Sequence, residues 1–209
     1  MVESPSKNRV NLVWIGLLVE GGLLILALIF GWLGFYDHQQ PIGSIDWANW
    51  NNALRWGLIM LLPMLVYLLV FHYWTPGFYR PMQRVVDTQL RPMFSNSSYL
   101  ELLVLSVFAG FGEELFFRWC LQGGISSQLE PMLGKSVSIG AGIAIASLMF
   151  GICHWVNTVY LVTAFLIGTY LGLTMVWTGT WLVPAISHAS FDFIALLYIV
   201  NSRPKSIGD

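Results

Sequence analysis

Long apolar runs separated by short polar segments dominate the chain and predict six membrane-spanning helices. Each run approaches the roughly 20 apolar residues that a helix needs to cross a bilayer. The predicted spans are Leu12–Phe35, Leu54–Trp74, Tyr99–Leu121, Val137–Trp155, Val159–Trp177 and Trp181–Val200. Very short turns join the last three spans, which predicts that they are antiparallel neighbours. The pattern therefore predicts an all-α, polytopic membrane helical bundle.

Two polar segments interrupt the apolar pattern. Asp37–Asn52 contains tryptophans among Asn and Asp residues, which is typical of an interfacial aromatic belt. The second polar segment, Pro76–Ser98, contains three arginines and predicts a short interfacial helix over Met82–Leu90. Neither segment is long enough to separate two domains, so residues 1–209 are predicted to form a single membrane domain.

Composition supports a membrane protein. Of 209 residues, 56% are hydrophobic and only 10% are charged, whereas soluble domains carry about 25% charged residues. The first apolar run is too long for the core of a signal peptide, so we expect it to be a retained helix. The net charge of −1 and the lack of a basic patch argue against a nucleic-acid partner. The partners expected are the lipid bilayer and a membrane-associated protein or peptide; the oligomeric state is left open.

The distribution of Lys and Arg predicts that both termini are cytoplasmic. With six spans, the side that holds both termini carries Lys7, Arg9, Arg80, Arg84, Arg91, Arg203 and Lys205. The opposite side carries only Arg55 and Lys135.

The third predicted span contains the most unusual polar residues of the chain, Glu113, Glu114 and Arg118. A charged residue at mid-membrane depth costs about 2.5–3.5 kcal/mol on insertion scales and usually serves a function. Glu114 and Arg118 are four residues apart on a helix and can pair. Glu113 projects about 100° away and stays available. A purely structural ion pair would need one glutamate rather than two.

Two further polar groups lie on later spans. Phe150 and His154 share one helix face, and His188 and Asp192 share another. Each group alone is compatible with a structural hydrogen bond inside the bundle. Together with the glutamates they supply a general base and two imidazoles, which could bind a water, protonate a leaving amine or stabilise an oxyanion. That combination predicts hydrolysis of an amide bond within the membrane.

The order Glu-Glu-x-x-x-Arg, Phe-x-x-x-His and His-x-x-x-Asp resembles the CAAX protease and bacteriocin-processing (CPBP, or Abi) family of intramembrane endopeptidases, which includes the Ras-converting CAAX endopeptidase. The resemblance covers a predicted catalytic core over residues 99–200. It implies that Glu113 activates water, that His154 and His188 bind the water or stabilise the oxyanion, and that Asp192 completes the site.

The resemblance also implies that Glu114 and Arg118 support the site, and Phe117 and Phe150 are predicted to contact substrate. It implies no obligatory metal. A zinc ion remains an alternative, because two histidines and spare carboxylates could hold one. The candidate ligands are Glu113, His154, His188 and Asp192.

The chain departs from the family pattern at two positions. Trp119 follows the motif arginine where a small Gly is frequent, and it could narrow the cavity. Asp192 stands where the CAAX enzymes have Asn, and it adds a negative charge close to Glu113.

Straight, upright helices place the polar groups at different depths. Glu113 and His188 both lie roughly 5 Å from the middle of their spans on the same side, whereas His154 lies roughly 12 Å into the opposite half. The groups meet only if the third helix runs past Arg118 or the fourth is tilted. Glu20, alone in the first span, is expected to make a buried polar contact without a catalytic role.

Three other functions are compatible with parts of the pattern. A non-catalytic scaffold or immunity protein could use the same fold, and replacing Glu113 would distinguish it because a scaffold would keep its partner. A small transporter could use buried Glu and His residues as a proton relay, but the chain shows no inverted repeat. A rhomboid-type serine protease is disfavoured because no serine lies in a recognisable nucleophile motif.

Overall fold

The computed structural model of the protein describes residues 12–38, 47–74 and 77–203. Every regular element in these ranges is helical, which confirms the predicted all-α bundle. The α-helices are α1 (Leu12–Trp32), α2 (Trp47–Tyr73), α3 (Arg80–Val85), α4 (Arg91–Phe94), α5 (Tyr99–Glu114), α6 (Gly123–Leu133), α7 (Lys135–Cys153), α8 (Thr158–Thr178) and α9 (Leu182–Asn201). Lys7, Arg9 and Lys205, which enter the orientation prediction, lie outside the described residues.

Five of the helices are long and apolar enough to cross a membrane: Val13–Trp32, Trp50–Tyr73, Lys135–Cys153, Thr158–Thr178 and Leu182–Asn201. They coincide with five of the six predicted spans. Their outward faces expose large apolar side chains, such as Leu18 in α1 and Leu62 in α2. Exposing so much apolar surface to water would be unfavourable, and such a surface is typical of contact with lipid. The protein is an integral membrane protein.

The remaining predicted span, Tyr99–Leu121, is part of a longer helical run. Ser98 begins α5 with a capping box, in which its hydroxyl accepts from the backbone N–H of Glu101 and the Glu101 carboxylate accepts from the backbone of Ser98. After Glu114 the run continues through a π-helical segment, Leu115–Gln122, into α6. Such wide turns are frequent at functional sites, and this one follows the two motif glutamates directly.

The close approach of α5 and α9 brings the first and third motifs together. A Cβ on Gly110 would lie 2.6 Å from the Cα of Ala189, so only glycine permits this approach. On the other side of α5, α1 packs against α5 and the π-helical segment Leu115–Gln122. The helices α7 and α8 pack against each other, as their short connection predicts.

The polar segment before α5 is helical from Arg80 through Phe94, because the π-helical turns Val86–Leu90 join α3 to α4. This agrees with the predicted helix over Met82–Leu90 and extends it at both ends. Arg91 ties the segment to the end of α9: its guanidinium donates to the carbonyls of Ile199 and Ser202. The segment therefore packs across one end of the bundle.

Candidate active site

The three polar motifs meet at the Glu113 carboxyl. Glu113 lies in the last turn of α5, His154 directly follows α7, and His188 lies in the middle of α9. The Oε1 atom of Glu113 is 3.8 Å from Nε2 of His154, and its Oε2 atom is 4.0 Å from Nε2 of His188. Two imidazoles on separate helices thus face one carboxyl.

The depth expected for His154 from straight, upright helices is wrong, since His154 lies beside Glu113. It is the C-terminal cap of α7, and its backbone departs from helical geometry there. Its Nδ1 atom is 2.8 Å from the carbonyl oxygen of Phe150, which accepts its hydrogen bond. This bond fixes the orientation of the ring and directs Nε2 towards Glu113.

Glu114 occupies both of its carboxylate oxygens. Oε2 accepts from Nε of Arg118 at 2.8 Å, and Oε1 lies 3.0 Å from Nδ1 of His188. Glu114 and Arg118 are both fully buried. Both histidines are therefore anchored through Nδ1 and present Nε2 to Glu113.

Glu113 differs from its neighbour in having an uncommitted oxygen. Its Oε2 atom is buried and has no hydrogen-bond partner among the described residues. Asp192, one turn beyond His188, places Oδ2 3.5 Å from Nε2 of His188 and is about one-third exposed. The adjacent glutamates thus differ in environment: Glu114 binds Arg118 and His188, and Glu113 faces the space between the imidazoles.

Phe150 supports both imidazoles. Its ring stacks on His154 with centroids 4.5 Å apart and meets His188 edge-on at 5.8 Å. The guanidinium carbon of Arg118 lies 5.1 Å from the centre of the same ring. Phe117 is buried and packs edge-on against Phe150 at 5.1 Å. Substrate contact by the two phenylalanines stays a prediction.

A cavity of about 150 Å³ adjoins the site. Its polar wall contains His154, His188 and Asp192, and Phe150 lies beside them. The rest of the wall is mainly apolar and comes from α2, the segment between Arg80 and Phe94, α8 and α9. The site is thus reached through an apolar chamber that the helical segment before α5 helps to close.

Sequence reasoning did not identify two tyrosines of this chamber. The Tyr67 hydroxyl is buried and has no hydrogen-bond partner among the described residues. The Tyr160 ring lies nearly parallel to that of His154, with centroids 6.5 Å apart. Tyrosines are common in membrane helices, so neither gave a usable signal in the sequence.

The described residues contain no group of three or more His, Cys, Asp and Glu side chains arranged to hold a metal ion. Glu114 is committed to Arg118 and His188, so it is not free to act as a ligand. Whether the protein needs a metal stays a prediction.

Comparison with known proteins shows which family this core is similar to. Residues 95–194 match a family model described as Type II CAAX prenyl endopeptidase Rce1-like. The matched segment, just under half of the chain, is similar to this family. The predicted resemblance is thus confirmed, and the Rce1-like segment contains all six polar motif residues. No curated protein and no solved structure matches the chain.

The Rce1-like match also bears on the enzymatic activity of the protein. It supports a CAAX-type intramembrane protease, and hence a peptidase, for this chain. The match ends at residue 194 and begins after α4, so α1 and α2 lie outside it.

Proposed function

We propose that the protein is an intramembrane endopeptidase in which Glu113 activates a water to hydrolyse a peptide bond of a membrane-associated protein or peptide. One observation carries the proposal: Glu113 is the uncommitted carboxyl of the pair and faces Nε2 of both histidines. The separations of 3.8 and 4.0 Å exceed direct hydrogen bonds and are compatible with a bridging water.

The chemistry follows from these positions. Glu113 accepts a proton from the water as the water oxygen attacks the carbonyl carbon of the substrate. His154 accepts the second hydrogen bond of the water through Nε2 and orients it. His188 donates through Nε2 to the carbonyl oxygen, where negative charge develops. When the C–N bond breaks, Glu113 returns its proton to the leaving amine.

Glu114 and Arg118 do not take part in proton transfer in this scheme. Their buried ion pair holds the Nδ1 side of His188 and thereby directs Nε2 to the reacting carbonyl. Fixed donors of this kind are effective because they need no reorganisation during the reaction.

The chamber indicates the class of substrate. Its apolar wall suits an apolar chain, and its polar end contains His154, His188 and Asp192. The segment from Arg80 to Phe94, with three arginines, helps to close it. By the positive-inside rule this end faces the cytoplasm. A lipid-modified or otherwise apolar terminus of a cytoplasmic protein, as in CAAX processing, fits this arrangement.

The test is cleavage of a quenched-fluorescence peptide library by purified protein, with wild type beside Glu113→Gln. Glu130→Gln is the matched control, because Glu130 lies in α6 and does not line the chamber. We expect Glu113→Gln to abolish cleavage and Glu130→Gln to preserve it, with activity surviving a chelator. Loss of wild-type activity in the chelator would favour a metal instead. A folded wild type that cleaves nothing would favour a scaffold.

A further inference from the structure

Glu20 is the one ionisable residue in the sequence of α1, and it lies beside the catalytic carboxyl. The helix is otherwise apolar and crosses the membrane. A carboxyl in this position costs free energy on insertion and normally has a partner or a function. Since α1 is outside the segment that matches the Rce1-like family, the match gives Glu20 no role.

The packing of α1 against α5 directs Glu20 to the site. Gly112 is buried at this contact: a Cβ there would lie 3.0 Å from the backbone oxygen of Glu20 and 3.9 Å from its Oε2. The carboxyl of Glu20 thus reaches α5 immediately before Glu113.

The two carboxyls are neighbours. The Glu20 carboxyl reaches α5 at Gly112, the residue directly before Glu113, and it interacts electrostatically with Glu113. Each glutamate has a buried Oε2 that no donor of the described residues reaches. Because two ionised carboxylates offer only acceptors, this contact is favourable only when a proton lies between them.

We propose that Glu20 is a positioning residue for the proposed hydrolysis: its protonated carboxyl donates to Glu113 and holds the Glu113 carboxylate against the two histidines. The inference rests on the proposed function of Glu113. It replaces the sequence-based expectation that Glu20 makes a contact without consequence for catalysis. The other oxygen of Glu113 remains free to accept the proton of the water.

Steady-state kinetics distinguish a positioning role of Glu20 from a purely structural one. Glu20→Leu removes the donor but suits the membrane, so we expect kcat to fall about 10- to 100-fold with KM nearly unchanged. Glu20→Gln keeps a neutral donor and should recover most of the activity. Leu17→Ala, a change at a partly buried position of the same helix, should leave kcat nearly unchanged. A Glu20→Leu variant with wild-type kcat would overturn the proposal.

Infrared spectroscopy tests the shared proton without requiring activity. Wild type should show the C=O stretch of a protonated, hydrogen-bonded carboxyl, and Glu20→Gln should lose it. A band that persists unchanged in Glu20→Gln would contradict the protonation of Glu20. If wild type cleaves no substrate while the band behaves as expected, the proposed function fails but the contact between the glutamates stands.

Discussion

Replacing Glu114 with glutamine should lower the stability of the protein, whereas replacing Glu113 should abolish catalysis without lowering stability. Glu114→Gln removes the countercharge of the fully buried Arg118 and one of the two acceptor oxygens that face Arg118 and His188. Removing one partner of a buried ion pair lowers the free energy of unfolding by about 3–5 kcal/mol. For a chain of this size, that loss corresponds to a fall in the unfolding midpoint on the order of 10 °C.

Glu113→Gln should leave the midpoint unchanged or raise it. Its carboxyl makes no ion pair at hydrogen-bonding distance. The oxygen of a neutral amide of the same shape can still accept the hydrogen bond proposed from Glu20, so no strong contact is lost. Catalysis should nevertheless be lost, because an amide cannot accept the proton of the water.

The assay is thermal unfolding of both purified variants in one detergent, followed by tryptophan fluorescence, with turnover measured on the same samples. The reasoning is refuted if Glu113→Gln destabilises the protein as much as Glu114→Gln does. It is also refuted if Glu114→Gln unfolds at the wild-type temperature.

Three further outcomes are expected. Gly110→Ala should force α5 away from α9, with a loss of stability of about 1–3 kcal/mol and of most activity, both measured in detergent. Gly140→Ala is the control, because a Cβ there meets nothing within 4 Å; equal effects of the two changes would contradict the packing argument. Phe150→Leu removes the ring that supports His154 and His188, so kcat should fall about 10-fold or more in steady-state kinetics while the fold persists; unchanged kcat would exclude this role. A C-terminal tag should be protease-sensitive only from the cytoplasmic side of oriented vesicles, whereas protection there would contradict the predicted topology.

The sequence predicted much of this architecture because hydropathy is a direct property of membrane helices. The long apolar runs predicted the five membrane-spanning helices that the structure contains. The short polar breaks between the last three runs predicted the turns that join them. The pairing of Glu114 with Arg118 also follows from local geometry, since residues four apart on a helix are neighbours.

Contacts between helices could not be predicted in the same way. The position of His154 depends on how α7 ends and how it packs against the π-helical segment Leu115–Gln122, which periodicity does not encode. The π-helical segment Leu115–Gln122 has no composition that distinguishes it from an ordinary helix. The contact of Glu20 with Glu113 depends on the close approach of two helices at Gly112. These features arise from packing between residues distant in the chain.

The most direct test of the account is a single-turnover measurement of peptide cleavage by Glu113→Gln beside wild type, with substrate affinity measured separately. Loss of a general base typically costs 10²- to 10⁴-fold in rate. The account predicts wild-type affinity with cleavage slower by about 1,000-fold. A Glu113→Gln variant that cleaves at more than about one-tenth of the wild-type rate would contradict it.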